Sequence, residues 1–385
     1  MNTPHPLLAR VGALVALFAL AALPCAAGDF ADSVAGYFPA PGQFINSALF
    51  NDPTRALGPP VGGGTISPDN SKLVSLGGFG GSITLRYSPP LPDHPCNPYG
   101  LDLIVFGNTS WVSGNPNRRF AEAGTIEVSR DWNNNGLPDD PWYVIRGSHL
   151  PATPNAALQS QLWDNSAGTA TPPANLSWYP GAPAFPAWPS SYATTTFRLP
   201  ALFEAMVIVN PNGTAATTEG YHGYADCTPT LLLGDTDSDN LVDAPGLTPG
   251  EFFTTPDNPF AVGISPGSGG GDAVDLAWAV DPATGEPARL DRADFVRVST
   301  GVNFLAGVLG ELSVEISAAA KVRPNPALFD LTGDSIPDPE DLYAWHSVAP
   351  TRRDLTGEGL IDPADANLLT RSVRCTDTAD LEAQR

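Results

Sequence analysis

In GSITLRYS, residues 81–88, apolar and polar side chains alternate. Ile83, Leu85 and Tyr87 fall on one side of an extended backbone and polar residues on the other, the period of two of a half-buried strand. TIEVSRD (125–131) repeats the pattern with Ile126 and Val128. KLVSLG (72–77), LDLIVFGN (101–108), WYVIRG (142–147), TTTFRLP (194–200) and AMVIVNP (205–211) are further strand-like runs with turn residues between them. With 41 Pro and 38 Gly in 385 residues, short strands and many turns are favoured over long helices. The expectation is a mainly β protein: a jelly-roll-like β-sandwich over 28–323 and a small C-terminal α-helical module over 324–385.

The C-terminal module is read from a repeat. DLTGDSIPDPED (330–341) returns as DLTGEGLIDPAD (354–365), identical at seven of twelve positions. Calcium loops place oxygen ligands at positions one, three, five, seven, nine and twelve, because a tight loop points alternate side chains inward. In the first copy these are Asp330, Thr332, Asp334, the carbonyl of Ile336, Asp338 and Asp341. In the second they are Asp354, Thr356, Glu358, the carbonyl of Leu360, Asp362 and Asp365. Short helical patterns follow, with Leu342, Trp345 and His346 after one loop and Leu368 and Leu369 after the other.

Loop, helix, linker, loop and helix, with Asp at each twelfth position, resembles a type I dockerin over 324–385. The resemblance implies calcium binding and a cohesin-like surface partner. The chain departs from the pattern at several places. The sixth position, a left-handed turn suited to Gly, is Ser335 in one copy and Gly359 in the other. Pro337 at the eighth has no N–H to give, and Glu358 is longer than the usual Asp or Asn. The tenth and eleventh positions, which carry partner recognition in dockerins, are Pro339-Glu340 and Pro363-Ala364. Calcium binding survives this comparison better than cohesin binding.

The ligand rhythm recurs upstream. DWNNNGLPDDPW (131–142) puts Asp131, Asn133, Asn135 and Asp139 in register, and DTDSDNLVD (235–243) offers Asp235, Asp237, Asp239 and Asp243. Each reads as a structural calcium loop or as an Asp/Asn turn that only caps strands.

Acids outnumber bases 41 to 19, for a net charge of −22. Such a surface repels nucleic acid and anionic membrane and suits cations. Residues 1–27 read as an export signal: Arg10, an apolar run from Val11 to Leu23, then Cys25-Ala26-Ala27 as a cleavage site. No later apolar run is long enough for a transmembrane span, so a secreted or cell-surface location is expected. Export permits disulfides, and of Cys96, Cys227 and Cys375 the expected pair is Cys96–Cys227, both within the predicted sandwich. No CxxC or paired-His spacing suggests zinc.

Prolines break the strand pattern over 151–190, with Trp163, Trp178, Tyr179, Phe185 and Trp188 among them. These aromatics of 151–192 read as a loop tucked over the sandwich, or as a platform that stacks on glycan rings. YFPAPGQFIN (37–46), VSLGGFGGSITLRY (74–87), EVSRDWNNNGLPDDPWYVIRGS (127–148), GYADCTP (223–229) and GGDAVDLAWAVDPATGEPARLDRADFVRVSTGVN (270–303) resemble a family of exported bacterial cell-surface proteins that occur with PKD-type or anchor modules. The resemblance implies location and architecture and brings no catalytic residues. Asp272 and Asp275 at the strand entry in GGGDAVDLAWAVD read as turn caps or metal ligands.

Signals for an enzyme are weak. GISPG (263–267) matches a nucleophile elbow only on paper, because Ser265 is followed by Pro266 and a glycine-rich loop. Glu219, His222 and Asp226 in EGYHGYADC could serve as a base or ligand set, and more often such a His is a loop residue. No HExxH, P-loop or dinucleotide fingerprint is present. The function expected is therefore non-catalytic: adhesion, glycan binding or assembly through the dockerin-like module, with Ca2+ as the bound ion. A polysaccharide-active hydrolase docked to a scaffold is the alternative, and surface capture of a small molecule the second alternative.

Overall fold

A computed structural model describes residues 28–39, 44–45, 47–77, 81–116, 119–121, 124–145, 225–300 and 313–375, and the backbone of 162–164 and 196–198. The expected export segment, the aromatics of 151–192 apart from the backbone of 162–164, the run 205–211, and Glu219 with His222 lie outside the described residues.

The strands are β1 (Ser33–Phe38), β2 (Val74–Ser75), β3 (Ser82–Pro92), β4 (Leu103–Phe106), β5 (Ser110–Trp111), β6 (Arg119–Phe120), β7 (Gly124–Ser129) and β8 (Trp142–Ile145). They continue with β9 (Leu162–Asp164), β10 (Thr196–Arg198), β11 (Asp272–Val274), β12 (Ala279–Val280), β13 (Arg292–Thr300), β14 (Glu315–Ile316) and β15 (Ala318–Lys321). The largest sheet runs β1-β3-β13-β7-β8-β12, and a three-stranded sheet runs β11-β4-β15. Every pairing among them is antiparallel, so the chain is mainly β as expected.

Register explains the core. Val298 stands opposite Ile83 on one side and Ile126 on the other, and Val296 opposite Leu85 and Val128. All six are fully buried. Each contributes roughly 1.5–3 kcal/mol by leaving water. They meet Leu103 and Val105 of β4 and Val274 of β11 in the same apolar cluster. The alternate residues of β4, Ile104 and Phe106, enter a second cluster with Leu231, Phe252 and Phe253. That is why LIVF reads as a continuous apolar run: both faces of β4 are covered. The apolar alternation of β13 changes phase part-way, because Phe295 and Val296 are both buried next to a register shift against β3, and this hides the strand in the sequence.

Among the described residues there are three short α-helices: α1 (Pro249–Phe252), α2 (Pro339–Trp345) and α3 (Pro363–Ser372). Each has Pro at its start and a capping box, Thr248 with Glu251, Asp338 with Asp341, and Asp362 with Asp365. Leu368 and Leu369 of α3 pack with Phe329 and Leu331, and Leu342 and Trp345 of α2 lie against them. His346 does not join that face; it is the exposed C-cap of α2.

The same cluster includes Cys96 from the β3–β4 connection. The expected Cys96–Cys227 pair is not formed: Cys96 is bonded to Cys375, Cα to Cα 6.0 Å, and Cys227 is a buried free thiol. The expectation failed because it kept the two cysteines within one predicted domain, whereas the chain after α3 folds back onto the 93–102 loop. Arg371 pairs with Asp93 there, and Asn258 Nδ2 donates to the Gly357 carbonyl at 2.9 Å. Among the described residues no helix is long and apolar enough to cross a membrane.

Candidate metal centres

The two copies of the dodecamer close in the same way. Asp330 Oδ1 accepts from Gly333 N at 2.6 Å and Oδ2 from Ser335 N at 2.9 Å. Asp354 does the same with Gly357 N at 2.9 Å and Gly359 N at 2.8 Å. At the twelfth position Asp341 Oδ1 accepts from Leu331 N (2.7 Å) and Thr332 N (2.9 Å), and Oδ2 from Asp338 N (2.8 Å). Asp365 repeats this with Leu355 N (2.8 Å), Thr356 N (3.1 Å) and Asp362 N (2.9 Å). Both carboxylates are fully buried. Ser335 adopts φ +75° at the sixth position, and Gly359 takes +83°. The non-glycine residue therefore accepts the left-handed turn, at a steric cost of roughly 1 kcal/mol.

Burial pushes the Asp330 carboxyl up, but N–H donors from Ser335, Gly333 and Asp334 outweigh it and hold it below the usual carboxylate range. Glu358 is pushed up, first by burial and then by Asp362, Asp365 and Asp354. Asp338 and Asp362 are turned toward their helices, accepting from Glu340 N and Ala364 N at 2.6 Å each. Asp334 accepts from Ile336 N at 2.9 Å. Neither loop brings three of its acids within 4.8 Å of one another.

The loop at 235–243 does. One carboxylate oxygen from each of Asp235, Asp237, Asp239 and Asp243 lies within 4.8 Å of all the others. Asp235 is fully buried, with Oδ2 accepting from Asn240 N at 3.0 Å and Oδ1 unpartnered. Burial pushes its pKa up, against the N–H donors around it. Ser238 and Asn240 take φ +63° and +70°, which bends the loop tightly enough to gather the acids.

The loop at 131–142 is built differently. Asp131 accepts from Asn135 N (3.0 Å) and Gly136 N (2.7 Å), and its own N–H donates to Asp294 at 2.9 Å. Asn135 Nδ2 donates to Asp139 at 3.0 Å and Asn133 Nδ2 reaches it at 3.5 Å. Trp132 N donates to Asp140 at 3.0 Å. A Cβ on Gly136 would stand 3.2 Å from Arg86 Nη2, so the chain's own cation lies under this loop. Amide donors already answer its carboxylates, which is the arrangement of an Asx-turn network. Asp294 had no signal in the sequence beyond being one acid among many.

A second gathering of acids joins Asp93, Asp102 and Asp275. Burial pushes Asp102 well up, and raises Asp275 to about 7. Asp102 accepts from Asn97 Nδ2 (2.7 Å) and Leu276 N (2.9 Å), and Asp275 from Ala277 N (2.6 Å). Arg371 supplies the positive charge at Asp93.

The remaining sequence candidates serve the scaffold. Asp226 is buried and accepts from Asn108 N (2.9 Å) and Thr109 N (3.0 Å). Ser265 donates its N–H to Asp257 at 2.7 Å and accepts from Asn258 N at 3.1 Å, ordering a loop. Asp272 accepts from Cys227 N at 2.7 Å. A groove of about 280 Å³ lies where the body meets the C-terminal helices, lined by Tyr99, Leu328, Arg352 and Asp354 among others.

No protein-family model matches the chain, and no curated protein is significantly similar to it.

Proposed function

We propose that this is an exported, non-catalytic cell-surface protein whose loops bind calcium, with a jelly-roll β-sandwich body and a dockerin-like C-terminal module. The observation that carries the reading is the equivalence of the two dodecamers: first and twelfth carboxylates take matching N–H partners in both copies. A solvated acidic tail has no reason to fold two stretches 24 residues apart into one geometry. Calcium chemistry suits this register, since a hard cation takes six to eight oxygens and neutralises carboxylates that otherwise repel. Residues Asp330, Thr332, Asp334, Asp338 and Asp341, with the Ile336 carbonyl, would hold one ion. Asp354, Thr356, Glu358, Asp362 and Asp365, with the Leu360 carbonyl, would hold the other. Millimolar extracellular calcium matches the roughly 10⁻⁴ to 10⁻³ M affinity of extracellular calcium modules. The role served is adhesion, glycan binding or assembly with a surface partner through 324–385.

The test is calorimetric titration of calcium into the full mature chain, because the module shares its core and disulfide with the body. The expected result is saturable binding that loses one site in Asp330→Ala and one in Asp354→Ala. Binding unchanged by both substitutions would overturn the reading.

A further inference from the structure

The 235–243 loop is tied to two other segments. Asn240, at its left-handed turn, accepts through Oδ1 from Thr65 N at 2.7 Å and from Thr65 Oγ1 at 3.1 Å. Thr65 O accepts in turn from Trp111 N at 2.6 Å, and Gly64 N donates to the Thr230 carbonyl at 3.1 Å. Space is tight: a Cβ on Gly64 would stand 2.4 Å from Asn240 Oδ1, and one on Gly62 would stand 1.9 Å from the Leu231 carbonyl oxygen. On the other side Gly267 N donates to the Thr236 carbonyl at 2.7 Å. The neck is closed by Asp243 N and Ala244 N, both donating to the Gly234 carbonyl at 2.9 Å.

Four carboxylates, Asp235 buried and Asp237, Asp239 and Asp243 exposed, converge on the surface of this knot, and their mutual repulsion is relieved by a counter-charge. No Lys or Arg occurs between 231 and 250, and among the described residues no salt bridge reaches any of the four acids. Asp235 is fully buried, and its Oδ1, with no hydrogen-bond partner, is an acceptor left for a ligand. A water molecule could satisfy one oxygen but not four like charges. A hard divalent cation does both, and the all-oxygen donor set selects calcium over zinc or copper.

We propose that the Asp235–Asp243 loop holds a calcium ion that clamps the 62–65 and 265–268 segments to one end of the β body. The ion would bind Asp235, Asp237, Asp239 and Asp243 and fix the turn at Asn240, and Asn240 then holds Thr65. This rests on the unpartnered Asp235 oxygen and the three-segment knot, not on the duplicated C-terminal loops.

The experiment is hydrogen–deuterium exchange on the full chain, calcium-free and with millimolar calcium. Wild type is compared with Asp237→Asn/Asp239→Asn, which alters two exposed side chains. The expected result in wild type is at least tenfold slower exchange in peptides covering 62–66, 235–243 and 264–268. In the double variant that protection is lost, while peptides covering 330–341 and 354–365 still respond. Calcium that protects only 330–365 in wild type would overturn the clamp and leave the reading of the C-terminal loops standing. Protection at 62–66 and 235–243 without any response at 330–365 would support the clamp and count against that reading. Equal protection of the three body segments in wild type and variant would also overturn the clamp.

Discussion

A buried aspartate can be told from a surface one only when its neighbours are known. Asp272 lies almost wholly inside the body, with Oδ2 accepting from Cys227 N at 2.7 Å and Oδ1 unpartnered. Burial pushes its pKa up to about 8, a rise that the N–H groups of Cys227 and the Thr228 side chain only partly oppose. An unfolded Asp releases its proton near 4. The folded chain therefore binds the extra proton between those values. The contribution to stability is fully present below about pH 4 and is lost as pH rises through about 8. Its slope is up to about 1.4 kcal/mol per pH unit. Asp272→Asn keeps an oxygen for Cys227 N and cannot ionise. Its urea midpoint should exceed that of wild type at pH 8, and the gap should close toward pH 4. A gap independent of pH would show that Asp272 is ionised in the folded chain.

At the scale of the element, each C-terminal helix depends on the loop before it. Asp365 accepts from three backbone N–H groups and caps α3, so Asp365→Ala leaves Leu355, Thr356 and Asp362 short of an acceptor. Leaving part-buried donors unmet and removing a capping-box acid should cost about 2 kcal/mol. Chemical denaturation followed by Trp345 fluorescence would measure it, since the Trp345 indole donates to the Arg353 carbonyl at 3.0 Å at the helix junction. A change below about 0.5 kcal/mol, the usual surface value, would mean the loop does not hold the helix. The strands follow the same logic of alternation. β3 and β7 announce themselves because their outward residues are polar and their inward ones apolar, and β4 because both its faces are covered. β13 sits between β3 and β7, but its alternation slips at the adjacent buried pair Phe295 and Val296, beside a register shift against β3, while its Arg297 lies over the Trp142 ring at 4.1 Å and pairs with Glu127 at 2.7 Å. Its charges are answered across the sheet, which no single strand's pattern reveals.

At the scale of the molecule, the Cys96–Cys375 bond joins residues 279 apart in sequence and fastens α3 to the body. A cross-link over so long a loop removes much denatured-state entropy, typically worth about 2–4 kcal/mol. Cys375→Ser should lower stability by that amount and split the unfolding transition, with the α2–α3 pair melting first. A single unchanged transition would show that Arg371–Asp93 and the shared apolar cluster hold the helices without the bond. The groove at this joint and the 93–102 acids belong to the same seam.

The strand character of the body, the paired loops and helices after residue 324, and the four acids at 235–243 are legible in the chain, because each is written in local periodicity. Tertiary structure alone decided which acids meet and which cysteines bond. Residue spacing put oxygen ligands in register in 330–341, 354–365 and 235–243, most fully in the first two, which also carry a twelfth-position Asp. Folding turned the twelfth-position acids of the first two onto backbone N–H groups and left four carboxylates facing one another in the third. Such convergence depends on left-handed turns and on contacts with segments more than 150 residues away, such as Thr65 with Asn240. Local pattern carries no record of either.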